Sequence, residues 1–401
     1  MTQSPSTAEP LPMTHVPGRP FDPPAELAEL RRARPLSRMA YPDGHVGWLA
    51  TSHELVRAVL ADARFSARAE LSHPPIPGAG GGTGQPAPPG IFNQTDPPVH
   101  TRYRHLLTGQ FTVRRMRLLT ERVAEITADC LDELARAGDS ADLVRAFALP
   151  VPGQVICELL GVPEAGRERF QDRAQILMQA DAAPEERFAV YTEMQSYLGE
   201  LVRGKRAEPT DDLLGGLAGS DLTDEELTNV AFTLLGAGFD TTANMIALGA
   251  FALLENPAVI PVLAEGPDAV GRVVEELLRY LSIIPCTVRV ALEDVELAGQ
   301  LVKAGEAVTV SVPAANHDPA RFADPEVFDP HRNAAGHVAF GHGVHQCLGQ
   351  QLARVEMQVA LPALFARFPG LRLAVPAGDV RLSVGSMILG LRALPVTWAA
   401  G

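Results

Sequence analysis

Near the C-terminal end, Phe340-Gly341-His342-Gly343-Val344-His345-Gln346-Cys347-Leu348-Gly349 delivers a cysteine through a glycine-punctuated loop to a helical pattern spanning Gly349 to Phe368. Unpaired backbone N–H groups and the dipole at a helix N-terminus stabilise a thiolate, so Cys347 is predicted to act as an anionic ligand or a nucleophile. Glycines let the backbone approach a flat cofactor without Cβ clashes, and N–H donors to the sulfur would tune an iron centre. Three other readings compete for these residues. A zinc site would use His337, His342, His345 and Cys347, but the spacing fits no common finger and no second cysteine pair exists. A thiol hydrolase would pair Cys347 with His345, although residues two apart rarely align a nucleophile with its base. The plainest reading is a buried structural cysteine in a tight turn.

Other patterns carry charge into apolar surroundings. Ala237-Gly238-Phe239-Asp240-Thr241-Thr242 sets two small residues before an acid and an alcohol in the middle of a long apolar helix. A buried, unpaired Asp is costly and calls for an explanation. The alternative for Thr241 is a bond back to a helix carbonyl, with a kink. Glu276-Leu277-Leu278-Arg279 places opposite charges three apart on one helical face. Glu275 with Arg279 and Arg272 with Glu276 are equally well spaced, and an exposed pair of this kind contributes little. His100 and Arg104 share a face four residues apart; read singly, they and Arg289 are solvated charges.

These side chains need a scaffold. The 401 residues are 46% hydrophobic and 20% charged, as in soluble globular proteins, and supply a large core. The net charge of −14 repels phosphate backbones and anionic membranes, so nucleic acid and membrane surfaces are not expected partners. Cys130, Cys157, Cys286 and Cys347 form no CxxC pair, which disfavours a disulfide framework and fits a reducing cytoplasm. Residues 1–20 read as a loose Pro-rich tail without a signal peptide, and 21–401 as one domain. A short helix through AELAELRRA and a hairpin near His45 to Ala50 come first, then a Pro/Gly-rich stretch from Ser72 to Gly90, long enough to be functional or mobile and a candidate lid.

Helical periodicity then covers Thr101 to Phe111, Val113 to Ala137, Leu149 to Leu160, Glu164 to Ala180 and Glu185 to Arg206. Thr223 with Glu226 forms a capping box, from which a helix of about 32 residues, about 48 Å, runs to Asn256-Pro257. Asp240, Thr241, Thr242 and Asn244 at its centre argue for a buried helix over a membrane span. A helix over Ala269 to Leu281 is followed by period-two strands through TVRVALEDVELAGQLVKAGEAVTVSV and by loops.

Together, FGHGVHQCLG, ExxR and AGFDTT make the chain resemble the cytochrome P450 family, soluble bacterial type, over nearly its whole length and in the family's motif order. The resemblance implies a mainly α, single-domain fold with small β-sheets and a haem b whose axial thiolate is Cys347, which favours O–O cleavage. It implies that His345, His100, Arg104 and Arg289 hold the haem propionates, that Phe340 packs under the thiolate, and that Gly349 belongs to the same loop. Glu276 and Arg279 become a buried structural pair. Val327 occupies one common position of the family's third partner, an arginine, and Arg332 is the substitute. Gly238 is implied to leave room for O₂, Thr241 to support oxygen activation and Asp240 to relay protons.

The implied reaction inserts one atom of O₂ into a C–H or C=C bond and reduces the other to water. Electrons would come from NAD(P)H through a ferredoxin and its reductase, with Arg102, Arg114, Arg115 and Arg117 as a docking patch or simply solvated arginines. The pocket is expected at the Pro/Gly-rich loop, Leu234, Leu235, Phe239, Ile283, Ile284, Val288, Met387 and Ile388, so the substrate is a bulky hydrophobic molecule. A natural product is implied: a macrolide or other polyketide, a terpenoid or a steroid. A cytoplasmic monomer is expected. The alternatives are an oxidase performing phenol coupling or desaturation, and a non-catalytic haem-thiolate binding protein.

Overall fold

The computed structural model describes residues 8–15, 18–77, 84–111, 113–178, 183–383 and 387–398. The fold is mainly α with small sheets, and the chain divides into two compact units. One comprises Met1–Pro86, Leu248–Gln350 and Val375–Arg392; the other comprises Ala87–Ala247, Gln351–Ala374 and Ala393–Gly401.

The first unit is built on a five-stranded sheet in the order Leu36–Ala40, Val46–Ala50, Ala307–Ser311, Cys286–Ala291, Phe65–Ser66. Leu36 stands opposite Ala50 in the antiparallel hairpin, Trp48 opposite Val308 in a parallel pair, and Val288 opposite Thr309 in an antiparallel one. Side chains alternate across a strand. Trp48, Ala50, Val308 and Val310 therefore join one core with Val56, Val59 and Leu60 of the His53–Ala61 helix, while Leu49 and Ala307 join the opposite core with Tyr41, Ile76 and Cys286. The Pro267–Leu281 helix carries ExxR in this unit and ends on Ser282 in the left-handed region, φ 42°.

The tail needs correction. Residues 1–7 and 16–17 lie outside the described residues, but Glu9 pairs with Met39, its carbonyl accepts from Ala40 N–H at 2.9 Å, and Leu11 is buried. A hydrophobic residue that finds a groove beside an edge strand orders a proline-rich segment that composition alone reads as loose. The Ser72–Gly90 stretch is described only in part, since 78–83 lie outside.

The second unit holds helices Val99–Thr108, Val113–Arg136, Pro150–Leu160, Glu164–Met178 and Pro184–Ala207, most of Asp224–Glu255, and most of Gln350–Arg367. Residues 179–182, into which one predicted helix extended, lie outside the description. A small sheet orders Ser140–Asp142, Pro395–Thr397 and Arg372–Leu373. The capping box is present in both directions: Thr223 N–H donates to Glu226 Oε2 at 2.7 Å, and Glu226 N–H to Thr223 Oγ1 at 3.1 Å. The helix it starts runs 32 residues, and among the described helices it alone is long and apolar enough to cross a membrane. Its most apolar window is 67% buried within the protein, as a core helix requires.

Candidate functional site

In the first unit, the cysteine loop is shaped by its backbone. Gly341 and Gly343 take φ of 70° and 74°, a region glycine enters without strain. A Cβ on Gly343 would stand 2.3 Å from the Leu60 carbonyl oxygen, so the loop lies backbone against backbone on the His53–Ala61 helix. Cys347 N–H donates to the Phe340 carbonyl at 2.9 Å and closes the loop, three residues before the Gln350–Arg367 helix begins.

Of the four cysteines, Cys347 is exposed and the others are buried. Burial pushes the Cys130 thiol up to about 12, Cys157 up to about 11 and Cys286 up to about 12, so none of these three ionises near neutral pH. A Cβ added at Gly341 or Gly349 meets nothing within 4 Å, so the loop leaves open space for a flat group beside an accessible sulfur. That donor set fits a haem thiolate. The zinc reading does not survive: His337 is taken by Glu275 at 3.1 Å and by Ala339 N–H at 3.2 Å. Among the described residues no group of three or more His, Cys, Asp and Glu is placed to hold a metal ion.

The ExxR pair is fully buried, both side chains 0% exposed. Arg279 donates to both Glu276 oxygens, at 2.8 and 2.7 Å, and to the Asn316 and Pro325 carbonyls at 2.9 Å each. Glu276 also accepts from Asp329 N–H and from Arg332 Nε, both at 3.1 Å. Arg332 thus takes the third place, and Val327 contributes only its carbonyl, to Arg279 and Arg332. Bidentate geometry and complete pairing are what a buried charge needs.

The second unit contains Asp240 and Thr241. Thr241 Oγ1 donates to the Ala237 carbonyl at 2.7 Å, the back-bonded arrangement weighed from sequence, and the helix continues unbroken. Burial raises the Asp240 carboxyl to about 6, opposed by the Asn244 amide, whose Nδ2 donates to Asp240 Oδ1 at 3.0 Å and to its carbonyl at 2.9 Å. Asn244 belongs to this site and could have been found from its i+4 spacing.

Two assignments on this helix are corrected. A Cβ on Gly238 would stand 3.5 Å from Ile156 Cδ1, so its bare side faces a neighbouring helix; the small residue on Thr241's face is the exposed Ala237. Leu235 and Phe239 are each 1% exposed, and Phe239 packs on Gly153 of the Pro150–Leu160 helix. They are core, not pocket wall. Ala237 is exposed and Thr241, one turn further, is half-buried, whereas Leu234, also expected in the pocket wall, is buried like Leu235 and Phe239.

In the first unit, the turn carrying Ile283 and Ile284 meets the turn carrying Met387 and Ile388, since Leu389 N–H donates to the Ile283 carbonyl at 2.7 Å. Ile284, Val288 and Ile388 are half-buried, Met387 is exposed and Ile283 is buried. Leu389, the residue that joins the turns, was missed. His345 ends a short turn and Phe340 neighbours the His337 ring at 6.1 Å. Arg289 is buried and donates to the Val288 carbonyl at 2.8 Å. In the second unit, His100 is buried and Arg104 half-buried, one turn apart on Val99–Thr108.

The arginine patch is largely paired. Arg102 bridges Glu226 at 2.7 Å and Asp221 at 3.2 Å, Arg114 and Arg115 both reach Asp211, and Arg117 reaches Glu121.

The sequence profile of the family described as Cytochrome P450 matches residues 269–392. The chain is 48% identical to Cytochrome P450 105C1 of a Streptomyces species, over 94% of this chain and 96% of that protein. It is 42% identical to pentalenic acid synthase of Streptomyces avermitilis, over 94% and 95%. The crystal structure of CYP105P1 in complex with filipin I covers 98% of this chain and 100% of its own, at 42% identity and a TM-score of 0.90.

Proposed function

Because this chain belongs to the cytochrome P450 family, and is a haem-thiolate monooxygenase using O₂, we propose that Cys347 is its thiolate ligand and that its substrate is a bulky hydrophobic natural product. The observation that carries the assignment of the ligand is the exposure of this one cysteine, in a glycine loop closed by its own N–H. The haem, when bound, supplies reductive activation of O₂, so that one oxygen atom enters the substrate and the other leaves as water at the expense of two electrons and two protons.

The chain's own residues bind and supply protons. His100, Arg104, Arg289 and His345 give the propionates charge-assisted donors. Phe340 packs on the thiolate side and Gly349 keeps the approach open. A carboxyl near 6 both takes and gives a proton around neutral pH, so Asp240 suits a relay, steadied by Asn244. Thr241 Oγ1 can accept a hydrogen bond while its hydroxyl donates to the Ala237 carbonyl, and can donate one to a ligand when the hydroxyl rotates away. The two turns of the first unit present apolar groups, with Met387 exposed and Ile284 and Ile388 half-buried, which favours binding by burial. A macrolide or other polyketide, a terpenoid or a steroid fits, in keeping with a relative named pentalenic acid synthase and another seen with filipin I. Electrons are supplied by NAD(P)H through a ferredoxin and its reductase, in the cytoplasm.

The test is the absorption spectrum of the reduced protein under carbon monoxide, for wild type and Cys347→Ser. A strongly red-shifted Soret band lost in the variant is expected; a colourless protein that takes up no haem would overturn the assignment. Product mass then separates oxygen insertion from coupling or desaturation.

A further inference from the structure

The exit of the Pro/Gly-rich loop is fastened to the first turns of the Asp224–Glu255 helix. Gly90 takes φ +94°, and a Cβ there would stand 2.2 Å from the Glu226 carbonyl oxygen, so only glycine permits this approach. Gly90 N–H donates to Tyr103 Oη at 3.1 Å, and that hydroxyl donates to Glu226 Oε1 at 2.6 Å. Burial would raise the Glu226 carboxyl, but hydrogen bonds from Arg102, Tyr103 and the Thr223 N–H outweigh it and hold it at about 2. The acceptor is therefore ionised throughout the working range.

Asn229 lies one turn further along, 7% exposed. Its Nδ2 donates to the Pro89 carbonyl at 2.8 Å, while its Oδ1 accepts from Gln195 Nε2 at 3.2 Å. Gln195 lies on the Pro184–Ala207 helix, so one amide spends its donor on the loop and its acceptor on a helix about a hundred residues away in sequence. A side chain serving only to hold the loop would need the donor end alone.

We propose that Asn229 is a positioning residue that couples the loop exit to the Pro184–Ala207 helix, so that loosening either loosens both, and that this coupling sets the bulk of ligand the pocket admits. The second half rests on the reading that the loop lines the pocket; the first does not.

The experiment is hydrogen exchange on the haem-loaded full chain for wild type, Asn229→Ala, Gln195→Ala, Tyr103→Phe and the Asn229→Ala/Tyr103→Phe double variant. Gln195→Ala never touches the loop, yet it should speed exchange in residues 84–94 by about fivefold, the effect of one lost hydrogen bond. Tyr103→Phe should speed exchange in 84–94 and in 188–200, the second effect vanishing once Asn229 is alanine. If Gln195→Ala leaves residues 84–94 at wild-type rates, Asn229 anchors the loop alone and the coupling is refuted. Gln195 is partly exposed, so this variant folds even if Asn229→Ala does not.

Soret titrations with imidazole and with the bulky azole clotrimazole test the pocket. Asn229→Ala should leave imidazole affinity within about twofold and shift clotrimazole affinity by about fivefold or more. Equal shifts for both would refute the role in selecting bulk. Loss of all azole binding by wild type would instead sink the haem assignment and leave the exchange result standing.

Discussion

Two carboxylates on helices of this chain, the buried Glu276 and the half-buried Asp240, are treated in opposite ways. Glu276 accepts from Arg279, Arg332 and the Asp329 N–H, every donor within 3.1 Å, with no part of its side chain exposed. Asp240 has one side-chain partner, an amide, and its carboxyl is raised to about 6. The difference is the number and charge of donors. A buried acid given two guanidinium groups is locked as an anion and fastens distant segments together. One given a single neutral donor is left poised between its two protonation states and can carry a proton. Glu356 extends the series: it is buried, its Oε2 has no hydrogen-bond partner among the described residues, and burial raises its carboxyl well above the usual range.

The largest effect should come from breaking the locked site. Glu276→Ala leaves two guanidinium groups uncompensated, Arg279 at the centre of the core, and should cost about 3–5 kcal/mol, seen in urea unfolding and as failure to retain haem. An intermediate loss would show that Asn316 and Pro325 alone satisfy Arg279. Arg332→Ala should cost less, about 1–3 kcal/mol, because Arg279 keeps Glu276 paired from two sides. A loss equal to that of Glu276→Ala would mean the three residues act as one unit.

Asp240→Asn should reverse the sign of the stability effect while impairing function. The folded state holds the Asp240 proton between the ordinary value of 3.8 and about 6, so wild-type stability falls as pH rises through that window. Above pH 6 the asparagine variant should match or exceed wild type by on the order of 1–2 kcal/mol, and below pH 4 the advantage should vanish. Its turnover should drop about 10²-fold or more, with electrons diverted from product, measured as oxygen consumed per product formed. Thr241→Ala should show the same diversion with a smaller loss of rate. Smallest of all, Glu356→Gln should change stability by less than about 1 kcal/mol, since burial disfavours the charged carboxylate and the amide keeps the shape of the carboxyl.

Much of this contrast was legible in the sequence. The ExxR spacing, the acid–alcohol pair and the capping box at Thr223 are local patterns, and local patterns survive folding: the long helix starts at Asp224 and stops at Glu255, one residue before Asn256-Pro257. The hairpin near His45 and the strands after Cys286 follow from period-two alternation for the same reason. What could not be read was which face of a helix meets what. The Asp224–Glu255 helix is apolar nearly all round, so its sequence does not say that Ala237 is exposed and Thr241 half-buried while Leu235 and Phe239 face the core. The Tyr103–Glu226–Gly90 fastening joins three segments, none of which advertises the others. The His53–Ala61 helix, whose Ser52 cap accepts from Leu55 N–H, is not among the predicted elements. Residues 8–15 were misjudged because composition weighed more than a single buried leucine.

The bond from Leu389 N–H to the Ile283 carbonyl bears on how such an enzyme can be re-engineered. The two turns it joins lie about a hundred positions apart in the gene but share one main-chain link. Because both partners are main-chain atoms, libraries that vary the side chains of either turn keep the link unless proline replaces Leu389, whereas insertions or deletions in one turn alone would break it and are better made by exchanging both turns together as a single cassette.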